Sequence, residues 1–101
     1  MGTARGTEPS RWLAAAVDQC VWAEWGGNFA VFHRPSGQTH FLNSATALLL
    51  RQVLMDPRDA EDAARALAAE LGTASSPEFV SHLAELLVRL EELGVVIRVP
   101  A

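Results

Sequence analysis

NFAVFHRPSGQTHFLNSATALLLRQVL, residues Asn28 to Leu54, is the stretch that decides the fold of this chain. Two apolar-rich runs, 29–33 and 38–42, flank the loop sequence RPSG. Pro35 presets φ for the second position of a type I turn, and Gly37 can adopt the left-handed conformation that closes the loop. The stretch therefore predicts a β-hairpin with a short bulged loop that leads into a helix.

The register of this hairpin decides where two histidines point. In the bulged register, which we expect, Arg34 pairs with Gln38, so His33 and His40 point to opposite faces of the sheet. In the alternative register His33 pairs with Gln38 and both histidines lie on one face, as a metal site or a proton relay would require. With the first register we expect ordinary strand histidines.

Outward from the hairpin, the preceding residues predict one more strand. Residues 19–25 alternate with period two, and Gly26-Gly27-Asn28 supplies a tight turn into the next strand. The predicted strands of this meander cover about 19–25, 29–34 and 38–42. Residues 12–17 are apolar but fit a helix or a strand equally. Residues 1–11 are small and polar and predict a disordered lead-in to a single domain over 12–99.

After the hairpin the apolar residues recur with helical period. The predicted helices run from Asn43 or Ser44 to before Pro57, from a cap at Asp56 with Pro57 in the first turn to about Leu71, and from Ser76 to Leu93 before Gly94. Residues 95–99 are β-prone, and the sequence leaves open whether they cover a sheet edge. The fold class is therefore α+β and winged-helix-like, a three-stranded antiparallel sheet followed by three helices.

Composition and charge exclude several classes of protein. The 101 residues carry a net charge of −4, and the eight basic residues, all arginine, are spread along the chain without a cluster. Nucleic-acid binding depends on concentrated positive charge, so this balance argues against it. No apolar run is long enough to span a membrane and no secretory leader begins the chain. Cys20 is the only cysteine, so an internal disulfide is impossible and a cytoplasmic location is expected.

A search for catalytic chemistry finds no constellation. Gly26-Gly27 is followed by a predicted strand, so it lacks the helix N-terminus that phosphate-binding loops use. The carboxylates of the last helix alternate with Arg89 in the manner of a solvated face. We therefore expect no enzyme activity, no metal and no cofactor.

The hairpin and the last helix together suggest one binding function, for an extended peptide. The last strand of the meander, 38–42, is an edge strand whose free backbone groups an added strand would satisfy. The last helix carries more apolar residues than one core contact needs, at Val80, Ala84, Leu87 and Val88. This surplus arc fits a groove for the peptide's side chains. The alternative is that it packs against the first helix or a second copy of the chain.

The same residues resemble a known family. The string Val31-Phe32-His33, the run SGQTHFLN over 36–43, and the following Ala45, Ala47 and Leu48-Leu49 are similar to the PqqD-like family, also called RiPP recognition elements. Trp22, Trp25 and the closing LEELGVV over 90–96 resemble a branch found beside HPr-kinase-related enzymes in bacterial peptide-modification cassettes. The resemblance covers roughly residues 12–97.

The resemblance implies a non-catalytic peptide chaperone. It implies that the leader segment of a ribosomally made precursor adds as a strand to 38–42 and lies against the last helix, for presentation to a modifying enzyme of the same cassette. The peptide-binding residues it implies are Thr39, His40, Phe41, Leu42, Val80, Ala84, Leu87, Val88 and Glu91. The alternatives are a winged-helix DNA-binding regulator, which Arg89 alone on the predicted recognition helix disfavours, a small enzyme using His33 and His40, and a homodimeric interaction module.

Overall fold

The computed structural model describes residues 10–15 and 19–99, and these form five strands and three α-helices. The elements are β1 (Arg11–Ala14), β2 (Cys20–Trp25), β3 (Asn28–His33), β4 (Gln38–Leu42), α1 (Ser44–Arg51), α2 (Ala60–Glu70), α3 (Pro77–Leu93) and β5 (Val96–Val99), with a short 3-10 turn at Val53–Met55. The α+β class is confirmed. The predicted disorder of residues 1–9 lies outside the described residues, as do residues 16–17 of the ambiguous 12–17 run.

The strands form two sheets instead of the single predicted one. β2, β3 and β4 make the predicted antiparallel meander, in that order, and β1 pairs with β5 in a separate two-stranded sheet. Arg11 lies opposite Val99 and Ala14 opposite Val96, so the second sheet joins the two ends of the domain. Arg11, predicted as lead-in, therefore belongs to the first strand. Local patterning could not predict this pairing, because its partners lie far apart in sequence.

The hairpin between β3 and β4 has the alternative register, so the expected bulged register is wrong. His33 pairs with Gln38 and Phe32 with Thr39 across a four-residue loop, 34–37. Gly37 closes this loop at φ 71°, and its N–H donates to the carbonyl oxygen of His33 at 2.8 Å. Pro35 and Gly37 suit both registers, so the turn residues did not distinguish them. In the observed register both histidines lie on the inner face of the meander.

The helix boundaries follow from their caps. The Asn43 side chain accepts from the Thr46 N–H at 2.8 Å, which confirms a cap for α1 at Asn43. Ser76 caps α3 in the same way, and Gly94 ends α3 in the left-handed conformation, both as predicted.

The start of α2 was predicted three residues too early. Its cap is Asp59, because Arg58 is engaged in extended pairing with Trp12. The N–H of Trp12 donates to the Arg58 carbonyl at 2.7 Å, and the Arg58 N–H returns to the Trp12 carbonyl at 3.1 Å. The residues at 57–58 consequently cannot form the first turn of a helix.

The core lies between the inner face of the meander, β1, β5 and the helices. Its largest fully buried side chains are Leu49, Leu54, Leu87, Leu90, Val31 and Val96. His33 closes one side of this core by packing on Gly94, where a Cβ atom would lie 2.6 Å from the ring Cε1. This contact fixes the hairpin to the C-terminal end of α3. In the described residues, no helix has the length and apolar character needed to cross a membrane.

Candidate functional site

The outer edge of β4 is the first component of the candidate site. Within the described residues β4 has a strand neighbour, β3, on one side only. β5 does not occupy the other side, because it pairs with β1. The question that the sequence left open about residues 95–99 is thereby settled: they cover an edge of β1. An edge strand presents a row of backbone N–H and C=O groups that another strand can pair with.

The predicted edge residues alternate between the two faces of β4. Thr39 and Phe41 lie on the outer face, where Phe41 is 74% exposed. His40 and Leu42 lie on the inner face and are half-buried, and Leu42 packs against the core. A strand added at this edge would alternate in the same way, with one set of its side chains beside Phe41 and the other set turned toward the helices.

A groove begins where β4 ends. It has a volume of about 190 Å³ and lies between the first turn of α1, the end of α2 and one flank of α3. The residues that line it are Asn43, Ala45, Thr46, Leu67, Leu71, Phe79, His82, Leu83 and Leu86. Most of these are apolar, and His82 at the rim is exposed. The groove can therefore accept an apolar side chain of a segment that continues past the edge of β4.

The α3 residues predicted for this groove lie elsewhere on the helix. Leu87 is fully buried in the core, so it cannot line a surface groove. Glu91 pairs with Arg98 of β5 at 2.9 Å, and Val80 lines a depression with Glu61 and Arg65 of α2. At 100° per residue Ala84 and Val88 fall on that same flank. This is the flank opposite to Phe79, His82 and Leu86.

The error has a physical cause. The fully buried row of α3 is bordered by apolar residues on both sides, so hydrophobic period alone cannot tell which flank lines the groove at the start of α1. Moving Val80, Ala84 and Leu87 back by one position gives Phe79, Leu83 and Leu86, which do line the groove. The sequence signal that could have identified this flank is the pair of larger side chains, Phe79 and Leu86, beside the exposed His82.

The two histidines of the hairpin share a face but do not assemble a metal site with other groups. The Nδ1 atom of His33 lies 2.9 Å from the Ser36 hydroxyl, which holds the ring against Gly94. The Nε2 atom of His40 is buried and makes no hydrogen bond to the described residues. In residues 10–15 and 19–99, no three His, Cys, Asp or Glu side chains come close enough together to hold a metal ion.

The cysteine is not activated for nucleophilic chemistry. Burial raises the pKa of the Cys20 thiol above its ordinary value of 9.0, which disfavours the reactive thiolate at neutral pH. Its side chain borders a cavity of about 250 Å³ whose wall includes Trp22, Arg51 and Met55. The arginine is stacked on Trp22, with its Cζ atom 5.3 Å from the ring centroid. Packing therefore accounts for the positions of the Trp22 and Arg51 side chains.

Comparisons with protein-family models, with curated proteins and with solved structures find no match to this chain.

Proposed function

We propose that this chain binds an extended peptide by adding it as a strand to the outer edge of β4. The peptide is the leader segment of a ribosomally made precursor, and a modifying enzyme of the same cassette receives the complex. The chain itself is a non-catalytic, winged-helix-like recognition element of the PqqD-like kind. The observation that carries the proposal is the edge of β4, because the strand that closes the domain pairs with β1 instead.

Backbone pairing supplies the affinity in this proposal. A bound strand would satisfy the outward N–H and C=O groups of residues 38–42, and β3 already holds these residues in extended geometry. The edge is consequently preorganised, so binding orders the peptide and leaves the protein backbone unchanged. Because backbone groups are common to all peptides, this contact gives little selectivity.

Side-chain selectivity comes from the groove. A peptide that leaves β4 near Leu42 meets the apolar pocket lined by Phe79, Leu83 and Leu86. A volume of about 190 Å³ suits one aliphatic or aromatic side chain. We therefore propose an apolar anchor residue in the leader, at the end of its paired segment, with His82 beside it at the rim.

The experiment is a calorimetric titration with synthetic peptides that correspond to the N-terminal halves of short peptides encoded beside this chain. Leu86→Ser shortens the groove wall, and Val88→Ser is the matched control because Val88 is exposed on the opposite flank of α3. Loss of an apolar contact of about 1.4 kcal/mol weakens binding about tenfold, so Leu86→Ser should raise Kd by this factor. Val88→Ser should leave Kd unchanged.

A second peptide tests the strand itself. Methylation of alternate backbone nitrogens removes the donors that pair with β4 and should abolish binding, whereas methylation of the intervening nitrogens should be tolerated. Equal binding by both methylated peptides would contradict strand addition. Equal affinity of folded Leu86→Ser and Val88→Ser would contradict the groove.

A further inference from the structure

The outer face of the three-stranded sheet carries an apolar surface, of which the proposed function uses only the edge at Thr39 and Phe41. The pairing of β2, β3 and β4 places eight side chains on this face: Val21, Ala23, Trp25, Asn28, Ala30, Phe32, Thr39 and Phe41. None of the eight is charged, although the chain as a whole has 20 charged residues among Lys, Arg, Asp and Glu. The inner face of the same strands already packs on the helices.

The large side chains of this outer face are open to solvent. Val21 is 45% exposed, Trp25 50%, Phe32 37% and Phe41 74%. The rings of Trp25 and Phe41 meet edge to face across the sheet, with centroids 6.4 Å apart. Because a whole aromatic side chain presents about 150–250 Å², these exposures leave about 400 Å² of apolar side-chain surface uncovered by the described residues.

We propose that this outer face is the contact surface of a homodimer, in which the outer faces of two copies stack across a twofold axis. Two sheet faces pack at about 10 Å when their side chains interdigitate, and identical three-stranded sheets match in width. Each copy has a net charge of −4, yet none of these eight residues is charged, so stacking them places no like charges against each other.

The area sets the strength of this dimer. The four large side chains of the two copies together contribute about 800 Å² to the contact. The smaller residues around them bring the contact toward about 1,200 Å², the lower end of stable interfaces. The dimer is therefore weak and reversible. Its contact leaves the backbone groups at the outer edge of β4 free, and the two proposals share only the side chains of Thr39 and Phe41. Val21 and Trp25 lie on β2, away from that edge, so variants at these two positions test the dimer separately.

The experiment is sedimentation velocity on the full chain without any peptide, over about 1 μM to 1 mM, where weak association constants fall. Wild type should shift from monomer to dimer as the concentration rises. Val21→Asp places a charge in the stacked face and should raise the dimer Kd at least about tenfold. Ile97→Asp is the matched control, because Ile97 is equally exposed, at 46%, on the separate sheet. It should dimerise as wild type does.

Trp25→Ser is the second variant and keeps the test decisive if Val21→Asp fails to fold, which circular dichroism reports. It removes the largest side chain of the face and should weaken the dimer in the same way. Three results would overturn the proposal. In the first, the wild type stays monomeric up to about 1 mM. In the second, the folded outer-face variants dimerise as the wild type does, which is expected for pairing through β4 edges. In the third, Ile97→Asp disrupts the dimer as strongly as Val21→Asp does.

Discussion

The contact between His33 and Gly94 makes the sharpest prediction about stability. Gly94 adopts φ 88° and lies so close to the His33 ring that a Cβ atom would sit 2.6 Å from Cε1 and 3.1 Å from both ring nitrogens. Gly94→Ala should therefore lower the free energy of unfolding for two separate reasons. A left-handed conformation costs an L-residue about 1 kcal/mol, and crowding a packed side chain costs about 2 kcal/mol more.

Gly72→Ala separates these two contributions. Gly72 has φ 74° at the end of α2, but a Cβ atom there would meet nothing within 4 Å. It should lose only the conformational part, about 1 kcal/mol. The two variants should therefore differ by about 2 kcal/mol in the free energy of unfolding, or by roughly 10 °C in Tm for a domain of this size. Urea and thermal unfolding, followed by circular dichroism, measure both quantities.

A double variant completes the test. His33→Ala removes the ring that a Cβ at position 94 would meet, so in this background Gly94→Ala should cost no more than Gly72→Ala. If Gly94→Ala and Gly72→Ala destabilise the wild type equally, the packing of His33 on Gly94 does not exist as described. The hairpin would then not be fixed to the end of α3 by this contact.

Three further predictions concern single positions. Asn43→Ala should cost about 1 kcal/mol through loss of the bond to Thr46, whereas Ser44→Ala, which keeps it, should change stability little; equal losses in chemical denaturation would contradict the cap. Because burial raises the pKa of Cys20, its alkylation rate in the folded protein should reach half its maximum above pH 9.0. The stability that the neutral thiol contributes should be present below the pKa of the unfolded state and should be lost as the pH rises through the pKa of the folded state. An alkylation rate with the pH dependence of the unfolded protein would contradict this. Leu87→Asp should unfold the domain, while Phe41→Asp should stay folded and fail to bind the leader peptides; a folded Leu87→Asp or a binding-competent Phe41→Asp would refute it.

The sequence predicted the elements whose signals are local. Alternation gave the three strands of the meander, and side-chain caps with a closing glycine gave α1 and α3. These features depend on residues within a few positions of each other, which a sequence displays directly.

The features that were missed depend on contacts between distant residues. The second sheet requires Arg11 to meet Val99, and the late start of α2 follows from the pairing of Arg58 with Trp12. The hairpin register places His33 on the inner face beside Gly94, which turn chemistry at 34–37 cannot reveal.

The same difference between local and distant contacts divides the candidate site into a part that the sequence predicted and a part that it did not. The edge strand 38–42 was predicted from the order of local strands, and among the described residues it is an edge. Which flank of α3 lines the groove at the start of α1 depends on how the helix is rotated in the fold. Because apolar residues border the buried row on both sides, the amphipathic pattern allowed either rotation, and the structure has the one that presents Phe79 and Leu86.

The most direct test of strand addition is a backbone-amide NMR titration of the ¹⁵N-labelled protein with the same leader peptides. Strand addition predicts shifts concentrated at Thr39–Leu42 and on the α3 flank of Phe79, His82 and Leu86, with slower hydrogen exchange of the outward amides of β4. Val88 and Glu91, on the opposite flank, should shift little. A folded spectrum without shifts, or shifts confined to that opposite flank, would contradict strand addition at β4.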